Sequence, residues 1–166
     1  MMSGVTESGG EGMSTMQGPG VCTGWTFTRS ARSPKRARRL LVQQLAEWGV
    51  DGAVSATAEL LLSELVTNAV RHAIRPTGRL VAVDVELAPG RLLRVEVADA
   101  CSAPPVPRPA EAPDAEGGRG LLLVEALSAH WGTYPRRHVG KVVWFVLDLA
   151  PDLAGVPAPG TAQSPE

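Results

Sequence analysis

Apolar residues in the first third of the chain recur at two spacings, one typical of a strand and one typical of a helix. Residues 24–29 (GWTFTR) alternate large and small side chains and predict a short strand. Ser33 and Pro34 then supply an N-cap and a first helical residue, so we expect a helix that runs from Ser33 to Trp48 and stops at Gly49.

A second predicted helix contains the segment ELLLSELVTNAVRHA, residues 59–73, which has the apolar density of a buried helix. Asp51 or Ser55 can cap its N-terminus. We expect it to end near Ile74, just before the helix-breaking Pro76. The first half of the chain is therefore predicted to be mainly helical.

Two polar residues, Glu64 and Asn68, lie one turn apart in this second helix. At about 100° per residue they fall on one narrow face, opposite Leu62, Val66 and Ala69. Two interpretations of this polar stripe are open. The pair is either solvated on an ordinary amphipathic helix, or partly shielded from water and engaged with a ligand.

The second half of the chain changes to strand periodicity. Four runs rich in β-forming residues pair into two predicted hairpins, one turning at residues 88–91 and the other at residues 136–140. These runs are residues 79–87, 92–98, 131–135 and 141–149. Between the hairpins, the proline-rich residues 100–118 predict a long loop, and residues 120–129 predict a helix.

This order of elements separates antiparallel strands from helices. It predicts an α+β fold, a two-layer α/β sandwich in which the helices cover one face of a mixed, mostly antiparallel sheet. We expect one domain over residues 22–149, because about 100 to 200 residues form a single core. Residues 1–21 and the Pro/Ala-rich residues 150–166 lack periodicity and are expected to be disordered tails.

Composition limits the partners of such a domain. Sixteen basic and seventeen acidic residues give a formal net charge of -1, so no global field attracts nucleic acid or an anionic membrane. No apolar run approaches the roughly 20 residues that cross a bilayer. The two cysteines, Cys22 and Cys101, have no metal-ligand spacing. We therefore expect a cytoplasmic protein that makes no direct contact with nucleic acid or membrane.

Positive charge is concentrated around the start of the first predicted helix. The basic residues of this cluster are Arg29, Arg32, Lys35, Arg36, Arg38 and Arg39. The cluster is either a solvated face or a docking surface for an acidic protein partner. Nucleic-acid binding is not favoured, because neither a reading helix nor an aromatic platform accompanies the charge.

Two features further along the chain could bind a ligand. Asp99 ends a predicted strand, where its carboxylate either forms an Asx-turn or accepts a hydrogen bond from a ligand. Residues 116–121 (EGGRGL) open a helix, and their glycines either end a flexible loop or let backbone N–H groups approach a phosphate. A Walker A loop and a dinucleotide-binding fingerprint are both excluded, because neither lysine lies in the first frame and the glycines do not follow a strand.

Glu64 and Asn68 on a helix, Asp99 after a strand, and EGGRGL before a helix resemble the N, G1 and G2 boxes of the GHKL superfamily, the Bergerat-fold, histidine-kinase-like ATPases. Four segments support the resemblance by their order and spacing: ELLLSELVTNAVRHA, VEVADACSAPPVPRP, GGRGLLLVEALSAHWGT and GKVVWFVL. Within the superfamily, the chain resembles the single-domain anti-sigma-factor kinases of actinobacteria, over residues 22–149. The resemblance implies the Bergerat fold, with ATP and Mg²⁺ as cofactors.

The resemblance also implies a role for each matching residue. Glu64 corresponds to the base that orients or deprotonates the attacking hydroxyl, and Asn68 to the ligand of Mg²⁺. Asp99 corresponds to the carboxylate that accepts a hydrogen bond from the adenine amino group. Cys101 lies in the same box at a position where the superfamily often has glycine, so the close backbone approach to the nucleotide that glycine permits is not assured.

The remaining matches lie at the phosphate end of the site. Gly118 and Gly120 correspond to glycines that close over the phosphates, and Arg119 and Leu121 correspond to residues that supply adjacent backbone N–H groups. Residues 100–117 correspond to the nucleotide lid.

Together these roles imply a Mg-ATP-dependent serine/threonine protein kinase that phosphorylates a STAS-type antagonist, binds a sigma factor and so regulates transcription. Relatives of this kind often form homodimers. An alternative from the class of binding proteins is open, in which the nucleotide only orders the lid and the protein is a nucleotide-gated switch without turnover. The non-glycine Cys101 and the charge-poor lid favour that alternative.

Overall fold

A computed structural model of the chain describes residues 20–72, 80–103 and 119–149, except for the side chain of His72. The described residues form five strands and three helices. They are β1 (Val21–Phe27), α1 (Ser33–Glu47), α2 (Gly52–His72), β2 (Val81–Ala88), β3 (Leu92–Asp99), α3 (Arg119–Leu127), β4 (His130–Pro135) and β5 (Lys141–Asp148). Nearly all of the two expected tails, most of the expected lid, and Gly118 lie outside the described residues.

The described strands form one five-stranded sheet in the order β1-β2-β3-β5-β4. All neighbouring strands in it are antiparallel, so the sheet is not mixed within the described residues. The two predicted hairpins are confirmed as β2–β3 and β4–β5. Between the hairpins, β3 pairs with β5, and this pairing places Asp99 directly opposite Lys141.

Helices cover one face of this sheet. Along β2, Val81, Val83 and Val85 belong to the same buried core as the apolar residues of α1 and α2. Asp84 and Glu86, which alternate with these valines, are exposed on the other face. Because α1 and α3 both pack against α2, and α2 packs against three strands, the helices form a single layer. The predicted α+β fold class is confirmed.

The central helix of that layer is α2, because its apolar residues recur at helical spacing. Its residues Leu61, Leu62, Leu65, Val66 and Ala69 are at most 3% exposed. Burial of each leucine or valine side chain contributes about 1.5–3 kcal/mol, which fixes the rotation of α2 about its own axis. No described helix, α2 included, is long and apolar enough to cross a membrane.

The first strand differs from its sequence prediction. β1 begins at Val21 and ends at Phe27, three residues earlier than predicted at its start, because its ladder with β2 pairs Val21 with Leu87 and Phe27 with Val81. The first residues of the strand are mostly exposed, so they carry little of the alternation on which the prediction relied. The ordered domain consequently includes Val21, which the sequence placed in the tail.

Ser33 does not cap α1, contrary to the prediction. Arg32 occupies the N-cap position and makes no side-chain capping hydrogen bond, although Pro34 lies in the first turn as expected. The hydroxyl of Ser33 is buried and instead donates to the carbonyl oxygen of Thr28 at 2.6 Å. Ser33 therefore ties the start of α1 to the chain that follows β1, and this tertiary contact competes successfully with local capping.

The face of the sheet opposite the helices carries an ordered polar cluster. The guanidinium of Arg94 lies 4.2 Å from the centre of the Trp144 ring and pairs with Glu96 at 2.7 Å. The second carboxylate oxygen of Glu96 accepts a hydrogen bond from the hydroxyl of Tyr134 at 2.7 Å. Gly132 leaves room for the Trp144 ring, since a Cβ at this position would lie 2.8 Å from it. The cluster links β3, β4 and β5 on the uncovered face.

This cluster predicts a high pKa for the single tyrosine of the chain. Burial first, and then the hydrogen bond and negative charge of Glu96, raise the pKa of Tyr134 above 10.0. Since the folded pKa lies above the unfolded one, the related stability is present below pH 10 and is lost as pH rises through the folded pKa. Ultraviolet titration of the phenolate is expected to give a midpoint above 10.0, which Glu96→Gln lowers. A wild-type midpoint at or below 10.0 would contradict the assignment.

Candidate functional site

The polar stripe of α2 lies at the edge of the buried core. Glu64 and Asn68 are both half-buried, and the core residues Leu61 and Leu65 flank them along the helix. Packing of the apolar face on the sheet fixes the direction in which the stripe points. Of the two interpretations of the sequence, the partly shielded one fits this burial better than a fully solvated pair.

The start of α3 approaches this stripe very closely, through Gly120. A Cβ at Gly120 would lie 2.7 Å from Oε2 of Glu64, 3.0 Å from its Cβ, and 3.4 Å from Nδ2 of Asn68. Any other residue at this position would have to displace the Glu64 side chain. The buried Gly120 therefore allows the backbone of α3 to approach the carboxylate and the amide of α2.

The end of α3 that makes this approach is its N-terminus. The first N–H groups of a helix have no partner within the helix, and they carry the positive end of its dipole. Arg119 is exposed, whereas Gly120 and Leu121 are buried. A carboxylate, an amide and the first backbone N–H groups of a helix therefore lie together, which is a chemistry suited to a phosphate group with an associated cation.

A second polar group lies where β3 ends, around the buried carboxylate of Asp99, which is 4% exposed. Its Oδ1 accepts a hydrogen bond from the backbone N–H of Cys101 at 2.7 Å, which is the Asx-turn that the sequence allowed. The ammonium of Lys141 contacts Oδ1 at 3.2 Å and Oδ2 at 3.0 Å. The same ammonium donates to the carbonyl oxygen of Cys101 at 3.1 Å. Asp99 is thus held by one charged and one neutral donor.

The β4–β5 turn packs against the backbone that carries this carboxylate. Gly140 has a φ of 103°, which L-residues with a side chain rarely adopt. A Cβ at Gly140 would overlap the carbonyl oxygen of Asp99 and lie 2.9 Å from Cα of Ala100. The N–H of Gly140 donates to Oγ of Ser102 at 3.0 Å. Residues 99–102 are therefore fastened to the turn by contacts that only glycine permits.

The amino-acid sequence matches the model of one protein family over most of its length. Residues 27–147 match the model of the histidine kinase-like ATPase domain. The chain belongs to this family. The match includes all elements from α1 to β4 and most of β5, and it confirms the family that the sequence resembles. Membership in a family of ATPase domains implies that the domain binds ATP.

A solved structure shares the fold of this chain. One similar structure is the crystal structure of the RsbU and RsbW domains of Rv1364c from Mycobacterium tuberculosis, with a TM-score of 0.59 and 22% sequence identity. The likeness covers 76% of this chain and 32% of that chain, so it spans about one third of the crystallised Mycobacterium chain. At this identity the likeness establishes the fold alone. No curated protein sequence matches significantly.

Within the ATPase domain, the residues singled out from the sequence form two groups. Glu64, Asn68 and Gly120 meet where α2 and α3 pack. Asp99 and Cys101 form the second group at the end of β3, a strand against which α2 also packs. The side chain of Leu121 belongs to the hydrophobic core, which leaves only its backbone for a ligand.

Two residues of the second group were not found by the sequence analysis. The sequence excludes Lys141 from a Walker A frame and assigns it no other role, and it places Ser102 in the predicted loop. A signal for Lys141 was present, since it is the charged first residue of an otherwise apolar strand, KVVWFVL. A buried lysine requires a partner, so its position at a predicted strand start indicates a nearby carboxylate.

The side chains of the first group suit a Mg²⁺ ion carried by a nucleotide. Mg²⁺ prefers oxygen ligands and usually takes one or two from the protein and the others from phosphates and water. The half-buried carboxamide of Asn68 offers one such oxygen beside Glu64. Among the described residues, no group of three or more His, Cys, Asp or Glu side chains could hold a metal ion by itself.

Proposed function

We propose that this protein is a Mg-ATP-dependent serine/threonine protein kinase that phosphorylates an antagonist protein of the STAS type and binds a sigma factor. The observation that carries the proposal is the meeting of Glu64, Asn68 and the α3 N-terminus at Gly120. A base, a cation ligand and phosphate-binding N–H groups are the three parts that phosphoryl transfer needs. The resemblance to anti-sigma-factor kinases and the likeness to a structure with an RsbW domain support this direction.

In the proposed reaction, Glu64 accepts the proton of a serine or threonine hydroxyl on the antagonist. The hydroxyl oxygen bonds to the γ-phosphorus of ATP while the bond to the β,γ-bridging oxygen breaks, and ADP leaves. Asn68 would hold Mg²⁺, which neutralises charge on the phosphates. The backbone N–H groups of Arg119, Gly120 and Leu121 would bind phosphate oxygens at the helix N-terminus.

The second group would bind the base of the nucleotide. Asp99 would accept a hydrogen bond from the amino group of adenine. Cys101 would act through its backbone, because its N–H donates to Asp99 and its carbonyl accepts from Lys141. A glycine is therefore not needed at Cys101 for the carboxylate to be oriented. Gly118, which lies outside the described residues, is proposed to complete the phosphate loop.

Phosphoryl transfer can be tested with the full chain, γ-labelled Mg-ATP and a STAS-type protein from the same genome. We expect label on a serine or threonine of the STAS-type protein and a stable complex with a sigma factor when that protein is absent. Asn68→Ala is expected to weaken Mg-ATP binding at least about tenfold in calorimetry, because a charge-assisted contact is lost.

The outcomes of this experiment separate the two hypotheses. Tight Mg-ATP binding without transfer to any STAS-type protein would contradict the kinase and favour the nucleotide-gated switch. An Asn68→Ala variant that binds Mg-ATP as the wild type does would contradict the assigned role of Asn68. Thr67→Ala is a suitable control, since Thr67 is the neighbour of Asn68 on the same half-buried stretch of α2.

A further inference from the structure

Lys141 is a buried cation directly beside the proposed base site. It is 9% exposed and opens β5 opposite Asp99 in the β3–β5 ladder. Burying an ammonium is unfavourable unless it is paired and hydrogen-bonded, and Asp99 provides that pairing at 3.0 Å. The proposed family roles give Lys141 no task, and two apolar side chains could occupy the same place in the sheet at lower cost.

The Asp99–Lys141 pair has hydrogen-bonding capacity that its contacts within the protein do not use. Oδ1 of Asp99 accepts from both the N–H of Cys101 and the ammonium of Lys141, whereas Oδ2 accepts from the ammonium alone. A carboxylate oxygen can accept two hydrogen bonds, so Oδ2 has one acceptor position free within the described contacts. The three N–H donors of Lys141 serve one carboxylate and one carbonyl.

Oδ2 of Asp99 can therefore accept one more hydrogen bond, and the neighbouring Nζ of Lys141 can donate one more. The similar distances from Nζ to the two carboxylate oxygens fit one N–H shared between them, which leaves the third N–H for a ligand. Since the two atoms are 3.0 Å apart, a planar ligand must present a donor and an acceptor side by side to satisfy both.

Adenine has this pattern on its pairing edge, where the 6-amino group is a donor and the neighbouring N1 is an acceptor. Guanine has the reverse pattern, with an acceptor at O6 and a donor at N1. We infer that Lys141 is a specificity-determining residue that donates a hydrogen bond to N1 of adenine, while Asp99 accepts one from the 6-amino group. This inference rests on the proposed binding of the adenine base at Asp99.

Asp99 and Lys141 would recognise different atoms of the base, which gives the buried ion pair a function. Asp99 alone would accept from any amino group, whereas the ammonium adds a requirement for an acceptor next to it. Guanine would place its carbonyl against the carboxylate and its N–H against the ammonium, so the free acceptor position of Oδ2 and the free N–H of Nζ would each face a group of the wrong kind. Selectivity for adenine over guanine nucleotides therefore depends on Lys141 as much as on Asp99.

Atom-replaced nucleotides test the contact to N1. In 1-deaza-ATP a C–H group replaces N1 and the 6-amino group is kept, so only the proposed contact to Lys141 is lost. The wild type is expected to bind 1-deaza-ATP about tenfold or more weakly than ATP in calorimetry. In Lys141→Met, a substitution of similar length, the two nucleotides are expected to bind with equal affinity, and discrimination against GTP should shrink.

Lys35→Met is the matched control, because Lys35 is the other lysine of the chain and is exposed on α1. It should keep the wild-type ratio of affinities. If Lys141→Met does not fold, Lys141→Arg, which keeps the donor and the charge, should retain a preference for ATP over 1-deaza-ATP. The ratio of the wild-type affinities for ATP and 1-deaza-ATP can be measured without any variant, so this part of the test does not depend on folding of a mutant.

The two proposals fail in different ways. Equal wild-type affinities for ATP and 1-deaza-ATP, with ATP bound normally, would overturn the role of Lys141 and leave the proposed function intact. A merely structural role of Lys141 would change both affinities by the same factor in Lys141→Met and leave their ratio at the wild-type value. A wild type that binds neither nucleotide would overturn the proposed function, and this inference with it.

Discussion

Replacing Gly140 by alanine is expected to destabilise the domain by more than about 4 kcal/mol, which is a large share of the 5–15 kcal/mol that stabilises a typical domain. The new Cβ would overlap the carbonyl oxygen of Asp99 and crowd Cα of Ala100, and both are backbone atoms. The positive φ of 103° adds strain of its own. Relief requires separating the β4–β5 turn from residues 99–102.

Gly90 provides the control, because alanine there would have the strain of a positive φ without an overlap with other atoms. Gly90 has a φ of 83°, but a Cβ there would meet no atom within 4 Å. Gly90→Ala should therefore cost only about 1–2 kcal/mol, the price of left-handed backbone for a residue with a side chain. Urea unfolding followed by circular dichroism measures both variants. Similar losses for the two would show that the contact with Asp99 does not constrain the fold.

Replacing Glu64 by glutamine is expected to slow transfer to the antagonist about 10²–10⁴-fold, which is the usual contribution of a general base. Glutamine has nearly the same shape, so it fits the space beside Gly120 and keeps Mg-ATP affinity close to that of the wild type. Single-turnover transfer with labelled ATP gives the rate, and calorimetry gives the affinity. Unchanged transfer would remove Glu64 from the proposed role of base.

Glu59→Gln provides the control for that measurement. Glu59 lies on the same helix and its carboxylate is 4.0 Å from Nε of Arg38, with both side chains about 40% exposed. An exposed pair of this kind contributes little to stability. The variant loses the same charge from α2 at a position away from Gly120, so it should retain the wild-type rate of transfer.

The elements of the fold were largely predictable because each has a clear period. The 3.6-residue spacing of α2 and the alternation of β2 and β5 come from one-sided burial, which is encoded locally. The errors occurred where burial does not dictate the residue. The first residues of β1 are mostly exposed, and Ser33 has the composition of a cap but a hydroxyl that bonds across to Thr28.

The candidate site was only partly predictable for a different reason. The period of α2 places Glu64 and Asn68 on one face but cannot show that Gly120 meets them, and on that period alone a solvated pair is favoured. The ion pair of Asp99 and Lys141 joins residues 42 apart in sequence. It depends on the register of β3 against β5, and no turn between these strands fixes that register. Resemblance supplied part of the missing information, but none for Lys141.

The strand order also has a consequence for the sequence of folding events. The β2–β3 and β4–β5 hairpins close short turns and can form on their own within about 1–10 μs. The β3–β5 ladder joins the hairpins only after a much longer loop has closed, at an entropic cost that rises with loop length. Asp99 and Lys141 belong to that ladder, so neither hairpin alone contains both residues of the proposed base site. If the base binds there as proposed, partly folded chains with isolated hairpins are expected not to bind it, and binding should arise together with the complete sheet.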